Sequence, residues 1–134
     1  MNRMKSCITI SLVPSLKGGP WILWDSLEKS VKESVRLGFD AIELFTDGPQ
    51  AGEKNELRNL LNETGLALGA VGTGAGKVLN GLTLTHPDQN IRAKAISFVR
   101  EMIDFGAQFN APAIIGSMQG SYGESTSKQD ALNY

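Results

Sequence analysis

The residue with the clearest chemical potential is Glu43, a carboxylate inside the apolar run Asp40–Phe45. Ile42 and Leu44 flank it, so a strand over this run places Glu43 on the face opposite theirs. A carboxylate on a sheet face needs a partner, a metal ion or solvent, because an unpaired buried charge is very costly. Two roles follow with equal weight: a general base or acceptor of a substrate hydroxyl, and a structural carboxylate held by a lysine or by backbone amides.

Two further segments combine small and polar residues directly after apolar runs. Leu66–Val71 leads into Gly72–Lys77, and Ala113–Ile115 leads into Gly116–Gly120. Ligands bind at the carboxyl ends of the strands in α/β folds, so the two segments predict one shared site. The structural alternative is a plain loop for the first segment and backbone capping for the second. The candidate substrate-binding residues are Gly72, Thr73, Gly74, Gly76, Lys77, Ser117, Gln119 and Gly120.

The first glycine-rich segment does not match a known phosphate-binding loop. A Walker loop requires glycine five residues before the Gly76–Lys77 pair, where Val71 stands, and Ser or Thr after the lysine, where Val78 stands. A dinucleotide-binding loop opens directly into a helix, whereas we expect a long loop over residues 72–85. The glycines therefore indicate a strand-end loop that allows a ligand to approach the backbone.

Other side chains with chemical potential have structural explanations of equal or greater weight. His86, the single histidine, precedes Pro87 at a helix start, which favours capping over catalysis or metal binding. Trp21 and Trp24 either wall the apolar side of a sugar pocket or pack in the core. The apolar surroundings of Cys7 predict a packed, inert thiol. The sequence contains no cluster of His, Cys, Asp and Glu residues, so we expect no complete metal site built by this chain alone.

Composition narrows the class of protein. The 134 residues suit one domain, residues 1–134, and 41% of them are apolar. The net charge of −1 and the lack of a basic run argue against nucleic acid as a partner. No stretch approaches the ~20 apolar residues of a membrane span, and no targeting segment is convincing. We therefore expect a cytoplasmic protein with a small-molecule partner.

The elements that must position these residues alternate along the chain. Strands are predicted over Ser6–Val13, Asp40–Phe45, Leu66–Val71 and Ala113–Met118, and helices after Asp25, around Leu57–Leu61, from Pro87 and from Ser125. This α/β alternation predicts parallel strands joined by right-handed crossovers. Four βα units suit the first half of a (β/α)8 barrel or a flavodoxin-like open sheet. The open sheet needs a covering helix at the end, which the residues from Ser125 barely supply.

Three stretches carry a family resemblance. Gly38–Phe45 resembles the second strand of the xylose-isomerase-like TIM-barrel superfamily, which includes sugar isomerases, sugar epimerases and the endonuclease IV nucleases. Val71–Gly76 and Leu82–Asp88 are similar to its third strand, the following loop and the next helix. Phe105–Gly120 is similar to its fourth unit, and Gly116–Gly120 is typical of a sugar isomerase and epimerase branch.

The resemblance implies a (β/α)8 barrel of roughly 250 residues or more, of which this chain is the amino-terminal half, truncated at its carboxyl end. It implies a sugar or sugar-phosphate isomerase or epimerase that moves a proton beside a carbonyl. A divalent metal ion (Mn²⁺, Mg²⁺, Zn²⁺ or Co²⁺) is implied for the full-length protein, with ligands in the other half. Glu43 matches the family's strand-two glutamate near the substrate, and residues 72–76 and Gln119 match pocket positions.

Two alternatives to a sugar enzyme remain at this stage. A nuclease of the same superfamily carries a metal-binding histidine after the third strand, where this chain has Gly72-Thr73-Gly74. The second alternative is a non-catalytic half-barrel that forms a homodimer through its open sheet edges, because unpaired edges recruit other chains. If the full-length protein is an isomerase or epimerase, we expect this chain to supply pocket walls and hydroxyl contacts and to be inactive alone.

Overall fold

The computed structural model describes residues 3–49, 54–123 and 126–134. The elements are β1 (Cys7–Ser11), α1 (Leu27–Arg36), β2 (Ala41–Phe45), α2 (Lys54–Thr64), β3 (Ala67–Gly72), α3 (Ala75–Asn80), α4 (Gln89–Ala107), β4 (Ala113–Ile114) and α5 (Lys128–Asn133), with short 3-10 helices at Pro14–Leu16 and Gly116–Gln119. Within those ranges, no helix has the length and apolar character that crossing a membrane requires.

The four strands form one parallel sheet in the order β1-β2-β3-β4. Sequential order is that of a barrel, whereas a flavodoxin-like sheet changes direction after its first strand. Apolar side chains on one face of the sheet pack against the helices, and this packing forms the main core. Its strand and helix members include Ile8, Ile10, Leu27, Val31, Ile42, Leu44, Leu57, Leu60, Leu68, Val71, Met102 and Phe105.

The other face of the sheet carries small and polar residues together with Phe45, and it is open at the amino ends of the strands. Cys7, Ala67 and Gly69 are exposed there, and Thr9 and Glu43 are half-buried. Alternation along the strands separates this face from the helix-packed one. In a closed barrel the helix-free face of the sheet is the one that lines the interior. We call it the inner face below.

Helix ends follow the local sequence signals closely. Ser26, rather than the expected Asp25, caps α1 by accepting a hydrogen bond from the Lys29 backbone N–H. Gly38 follows α1 with φ of +80°, a conformation that glycine adopts without steric cost. Asp88 caps α4 by accepting from the Asn90 N–H at 2.7 Å.

Two expected elements differ from the structure. The segment 72–85, expected as a loop, contains α3, which begins at Ala75 directly after the strand and ends where Gly81 adopts φ of +66°. The expected strand Ala113–Met118 stops at Ile114, because Gly116 turns the chain with φ of +51°. Glycine lowers helix propensity, so the sequence pattern alone favoured a loop, and tertiary packing overrides that preference.

Candidate functional site

Glu43 lies on the inner face in β2, opposite Thr9 of β1. A Cβ built on Gly72 of β3 would lie 3.7 Å from Glu43 Oε1, so this carboxylate extends over the neighbouring strand. Partial burial removes hydration from the charged form and raises the pKa of Glu43, and the Thr9 hydroxyl opposes that rise. Among the described residues no lysine or arginine forms an ion pair with Glu43. The described residues therefore do not show Glu43 as a structural carboxylate held by a lysine.

Cys7 shares the inner face with Glu43. The expectation of a packed thiol is wrong, because Cys7 is exposed at the start of β1, where no helix covers the sheet. A Cβ built on Gly69 would lie 3.0 Å from Cys7 Sγ, so glycine leaves room for the thiol above β3. Desolvation is the main cause that raises the pKa of Cys7, and the negative charge of Glu43 adds to it. A raised pKa keeps the thiol protonated and weakly nucleophilic.

Aromatic side chains meet at the carboxyl ends of β1, β2 and β3. The Phe45 ring stacks on Trp21 with centroids 4.2 Å apart and an interplanar angle of 29°. Trp24 meets Trp21 edge-on at 5.6 Å, and its Nε1 donates to the Trp21 carbonyl at 2.6 Å. Phe45 forms a small second core with Val13 and Ala75. Core packing thus accounts for the tryptophans, while Trp21 stays half-buried beside the inner face.

The glycine-rich segment after β3 packs tightly against these aromatic rings. A Cβ on Gly72 would lie 3.2 Å from Phe45 Cδ2, and one on Gly74 would lie 3.3 Å from both Phe45 Cε2 and Ser117 Oγ. Thr73 between them is fully buried. Its Oγ1 lies 2.7 Å from the Ile114 carbonyl oxygen and 3.0 Å from that of Ile115. The Thr73 hydroxyl therefore ties β3 to the end of β4.

Gly76 and Lys77 belong to α3 rather than to a loop. A Cβ on Gly76 would lie 2.8 Å from the Phe98 ring and 2.9 Å from Met118 Sδ. Close packing against Phe98 and Met118 thus explains this glycine. Lys77 is half-buried, and its backbone N–H donates to the Gly74 carbonyl at 3.2 Å.

Gln119 and Gly120 lie apart from Glu43, in a cleft of about 660 Å³ between the segment after β4 and helix α5. The cleft is lined by Thr85, Gln119, Gly120, Ser121, Tyr122, Lys128, Ala131 and Leu132. Ser117, beside Gly74, lies on the β3 side of this segment. The structure therefore divides the predicted site residues between two places. Reasoning from sequence missed Thr85, Tyr122 and Lys128, whose only signal is polarity near a strand end.

The described residues do not supply a ligand set for a divalent metal ion. Within residues 3–49, 54–123 and 126–134, no three His, Cys, Asp or Glu side chains lie close enough to hold one. The four strands contain a single carboxylate, Glu43. His86 is engaged locally, because its Nδ1 accepts a hydrogen bond from the Asp88 N–H at 3.0 Å, although Asp88 rather than His86 is the residue that caps α4.

Comparison with known proteins identifies the family. The family described as Xylose isomerase-like TIM barrel matches residues 31–134, and the chain belongs to this family. Two solved structures share the fold, both N-terminally His-tagged D-allulose 3-epimerase from Methylomonas sp. The structure in complex with D-allulose has a TM-score of 0.64 and 19% identity, over 99% of this chain and 45% of the epimerase chain.

The second epimerase structure, which has additional C-terminal residues, gives a TM-score of 0.63 and 22% identity, over 99% of this chain and 46% of that one. This chain therefore spans less than half the length of these epimerases. No curated protein matches the sequence. The four parallel strands correspond to half of a TIM barrel, which confirms the expected fold class and excludes the flavodoxin-like alternative.

Proposed function

We propose that this chain forms the amino-terminal half of a sugar or sugar-phosphate isomerase or epimerase, in which Glu43 contacts the substrate. The observation that carries the proposal is the placement of Glu43. It is a half-buried carboxylate with a raised pKa, on the sheet face that lines a closed barrel. The epimerase crystallised with D-allulose, which shares the fold, supports a sugar as the substrate class.

The chemistry needs a base beside a carbonyl. The C–H bond on the neighbouring carbon breaks, its electron pair forms an enediolate, and the proton moves to a carboxylate oxygen. Return of a proton to the other carbon isomerises the sugar, and return to the opposite face epimerises it. A carboxylate with a raised pKa is a stronger base, and Glu43 serves either in this transfer or as acceptor of a substrate hydroxyl. Metal assistance (Mn²⁺, Mg²⁺, Zn²⁺ or Co²⁺) belongs to the proposed whole enzyme, with ligands outside the described residues.

We propose that the enzyme is cytoplasmic and that neither nucleic acid nor a membrane is its partner. The net charge of −1 supports this, because a protein that binds nucleic acid usually carries a basic face. The end of β3 reads Gly72-Thr73-Gly74 and contains no histidine. Both features disfavour a nuclease of the same superfamily.

Hydrogen exchange next to the carbonyl tests the proposal. The full-length protein, of which we propose this chain to be the amino-terminal half, is incubated in D₂O with Mn²⁺ and, in turn, D-fructose, D-allulose and D-fructose 6-phosphate, and loss of the proton signals beside the carbonyl is followed by NMR. We expect exchange with at least one sugar, slowed about a hundredfold or more in Glu43→Gln. Glu63→Gln, an exposed change on α2, is the matched control.

The outcomes of this experiment separate two parts of the proposal. Exchange that is equally fast in Glu43→Gln and wild type would remove Glu43 from the site and leave the activity standing. No exchange with any of the three sugars, in a protein whose circular dichroism shows it to be folded, would overturn the activity itself.

The alternative function, a non-catalytic half-barrel that self-associates, rests on the open inner face. Ile114 of β4 is 41% exposed, and β1 and β4 are edge strands of the sheet. Such edges pair with other chains. The alternative gains support if the protein associates and shows no sugar-dependent exchange.

A further inference from the structure

The cleft between the segment after β4 and helix α5 combines polar, aromatic and aliphatic side chains. Among the described residues that line it, Lys128 is the one cation and none is a carboxylate. Tyr122, Ala131 and Leu132 supply apolar surface, and Tyr122 and Leu132 are 61% and 71% exposed. A concave site with apolar walls and a few polar groups is the usual form of a small-molecule site.

The β4 side of the cleft is held in place by tertiary hydrogen bonds. Thr85 Oγ1 donates to the Gln119 carbonyl at 2.9 Å, and the Leu84 N–H donates to the Met118 carbonyl at 2.8 Å. Gly120 adopts φ of +85°, and a Cβ there would overlap the Thr85 hydroxyl. This wall is therefore built from two separate segments that tertiary hydrogen bonds join.

The opposite wall of the cleft, formed by helix α5, contains the cation Lys128. Lys128 is the first residue of α5, which Ser127 caps by accepting from the Asp130 N–H at 3.1 Å. Lys128 Nζ lies over the Tyr122 ring, 6.0 Å from its centroid, and both residues line the cleft. None of the ion pairs between described residues involves Lys128.

We propose that this cleft binds the phosphate end of a phosphorylated sugar, with Lys128 paired to the phosphate and the Tyr122 ring against a C–H face of the sugar. A phosphate monoester matches a site whose described lining contains a lysine and no carboxylate, and an exposed aromatic ring matches the apolar face of a sugar. The cleft lies directly after the carboxyl end of β4, at the edge of the sheet where barrel enzymes bind substrate. The inference rests on the proposed function and specifies its substrate class.

Calorimetric titration tests the inference with a matched pair of ligands. D-fructose 6-phosphate and D-fructose differ only in the phosphate, and inorganic phosphate is the third probe. We expect the phosphorylated sugar to bind at least about tenfold more tightly than D-fructose, because a charge-assisted hydrogen bond raises affinity by about that factor. Lys128→Met should remove this preference. Lys94→Met, the same charge change at an exposed position of α4 outside the cleft, should keep it.

Each outcome supports or overturns the inference. Equal affinity for the two sugars, an equal loss in the two lysine variants, or an unchanged preference in Lys128→Met would overturn it. Binding of inorganic phosphate as tightly as the phosphorylated sugar would also overturn it, because the site would then not recognise a sugar. If hydrogen exchange occurs only with the unphosphorylated sugars, D-fructose or D-allulose, the proposed function stands and the proposed phosphate site is wrong.

Discussion

At the scale of single residues, Glu43 combines a favourable position for chemistry with a cost to folding. The inner face leaves it half-buried, and its charged form loses hydration there. Thr9, opposite in register, compensates only in part. The carboxylate therefore stabilises the folded state less than an uncharged side chain of the same shape would.

Glu43→Gln should raise stability at neutral pH. The pKa of Glu43 is higher in the folded chain than its ordinary value of 4.5, so ionisation disfavours the folded state. The cost is complete above the folded pKa, shrinks as the pH falls through it, and is absent below the unfolded pKa. Urea unfolding should therefore give a higher midpoint for Glu43→Gln than for wild type at pH 7, and equal midpoints well below pH 4.5.

Glu63→Gln is the control for that measurement, because Glu63 is exposed on α2. It should change the midpoint little at either pH. A Glu43→Gln variant less stable than wild type at pH 7 would show that the carboxylate has a stabilising partner, and would favour its structural role.

At the scale of elements, α3 shows how a short helix is held by packing rather than propensity. Its six residues include Gly76, and a helix of this length is not stable by itself. Gly76 is buried against Phe98 of α4 and Met118 of the 3-10 helix after β4. The close approach of these three elements fixes the carboxyl ends of β3 and β4, where both candidate sites begin.

Gly76→Ala should destabilise the fold by about 1–3 kcal/mol, the range for overpacking a well-filled core. The added methyl would lie 2.8 Å from the Phe98 ring and 2.9 Å from Met118 Sδ, so side chains on two elements must move. Urea unfolding of the variant measures the loss. Gly48→Ala is the matched control, because nothing lies within 4 Å of a Cβ there. Equal stability of the two variants would contradict the packing role of Gly76.

At the scale of the whole molecule, the described part of the sheet ends in two edge strands, of which β1 is partly covered by a bridge between Ile10 and Leu23, and its inner face is open at the amino ends of the strands. β1 and β4 are the edge strands, and Cys7, Ala67 and Gly69 are exposed on the inner face. In a complete barrel, further strands pair with both edges and enclose this face. A separate chain of residues 1–134 must instead leave these groups in water or cover them with another molecule.

Residues 1–134 produced as a separate chain should therefore self-associate. Light scattering should give a solution mass above that of one chain, and Ile114→Lys should lower it, because a charge on an edge strand opposes pairing. Ile96→Lys is the matched control, since Ile96 is 42% exposed and lies on helix α4 rather than at a sheet edge. A monomeric wild-type chain, or an equal decrease in the two variants, would contradict association through β4.

Local pattern in the sequence predicted the alternating strands and helices and the position of Glu43, whereas the choice of a half-barrel over an open sheet depended on the family resemblance. Alternation of apolar residues predicted the strands, and capping residues and glycines marked the helix ends within a few residues. The face on which Glu43 lies follows from the two-residue period of a strand. The resemblance of residues 38–120 to the xylose-isomerase-like superfamily was confirmed by the family match over residues 31–134.

Tertiary structure alone decided what the polar residues contact. The Thr73 hydroxyl hydrogen-bonds to carbonyls more than forty positions away, and Gly76 makes room for Phe98. Cys7 is exposed because no element covers its face of the sheet, which its apolar neighbours could not indicate. The cleft with Lys128 joins three separate segments. The period of apolar residues predicts on which face of a strand or helix a residue lies. The partners of that residue depend instead on contacts between segments that are distant in the chain.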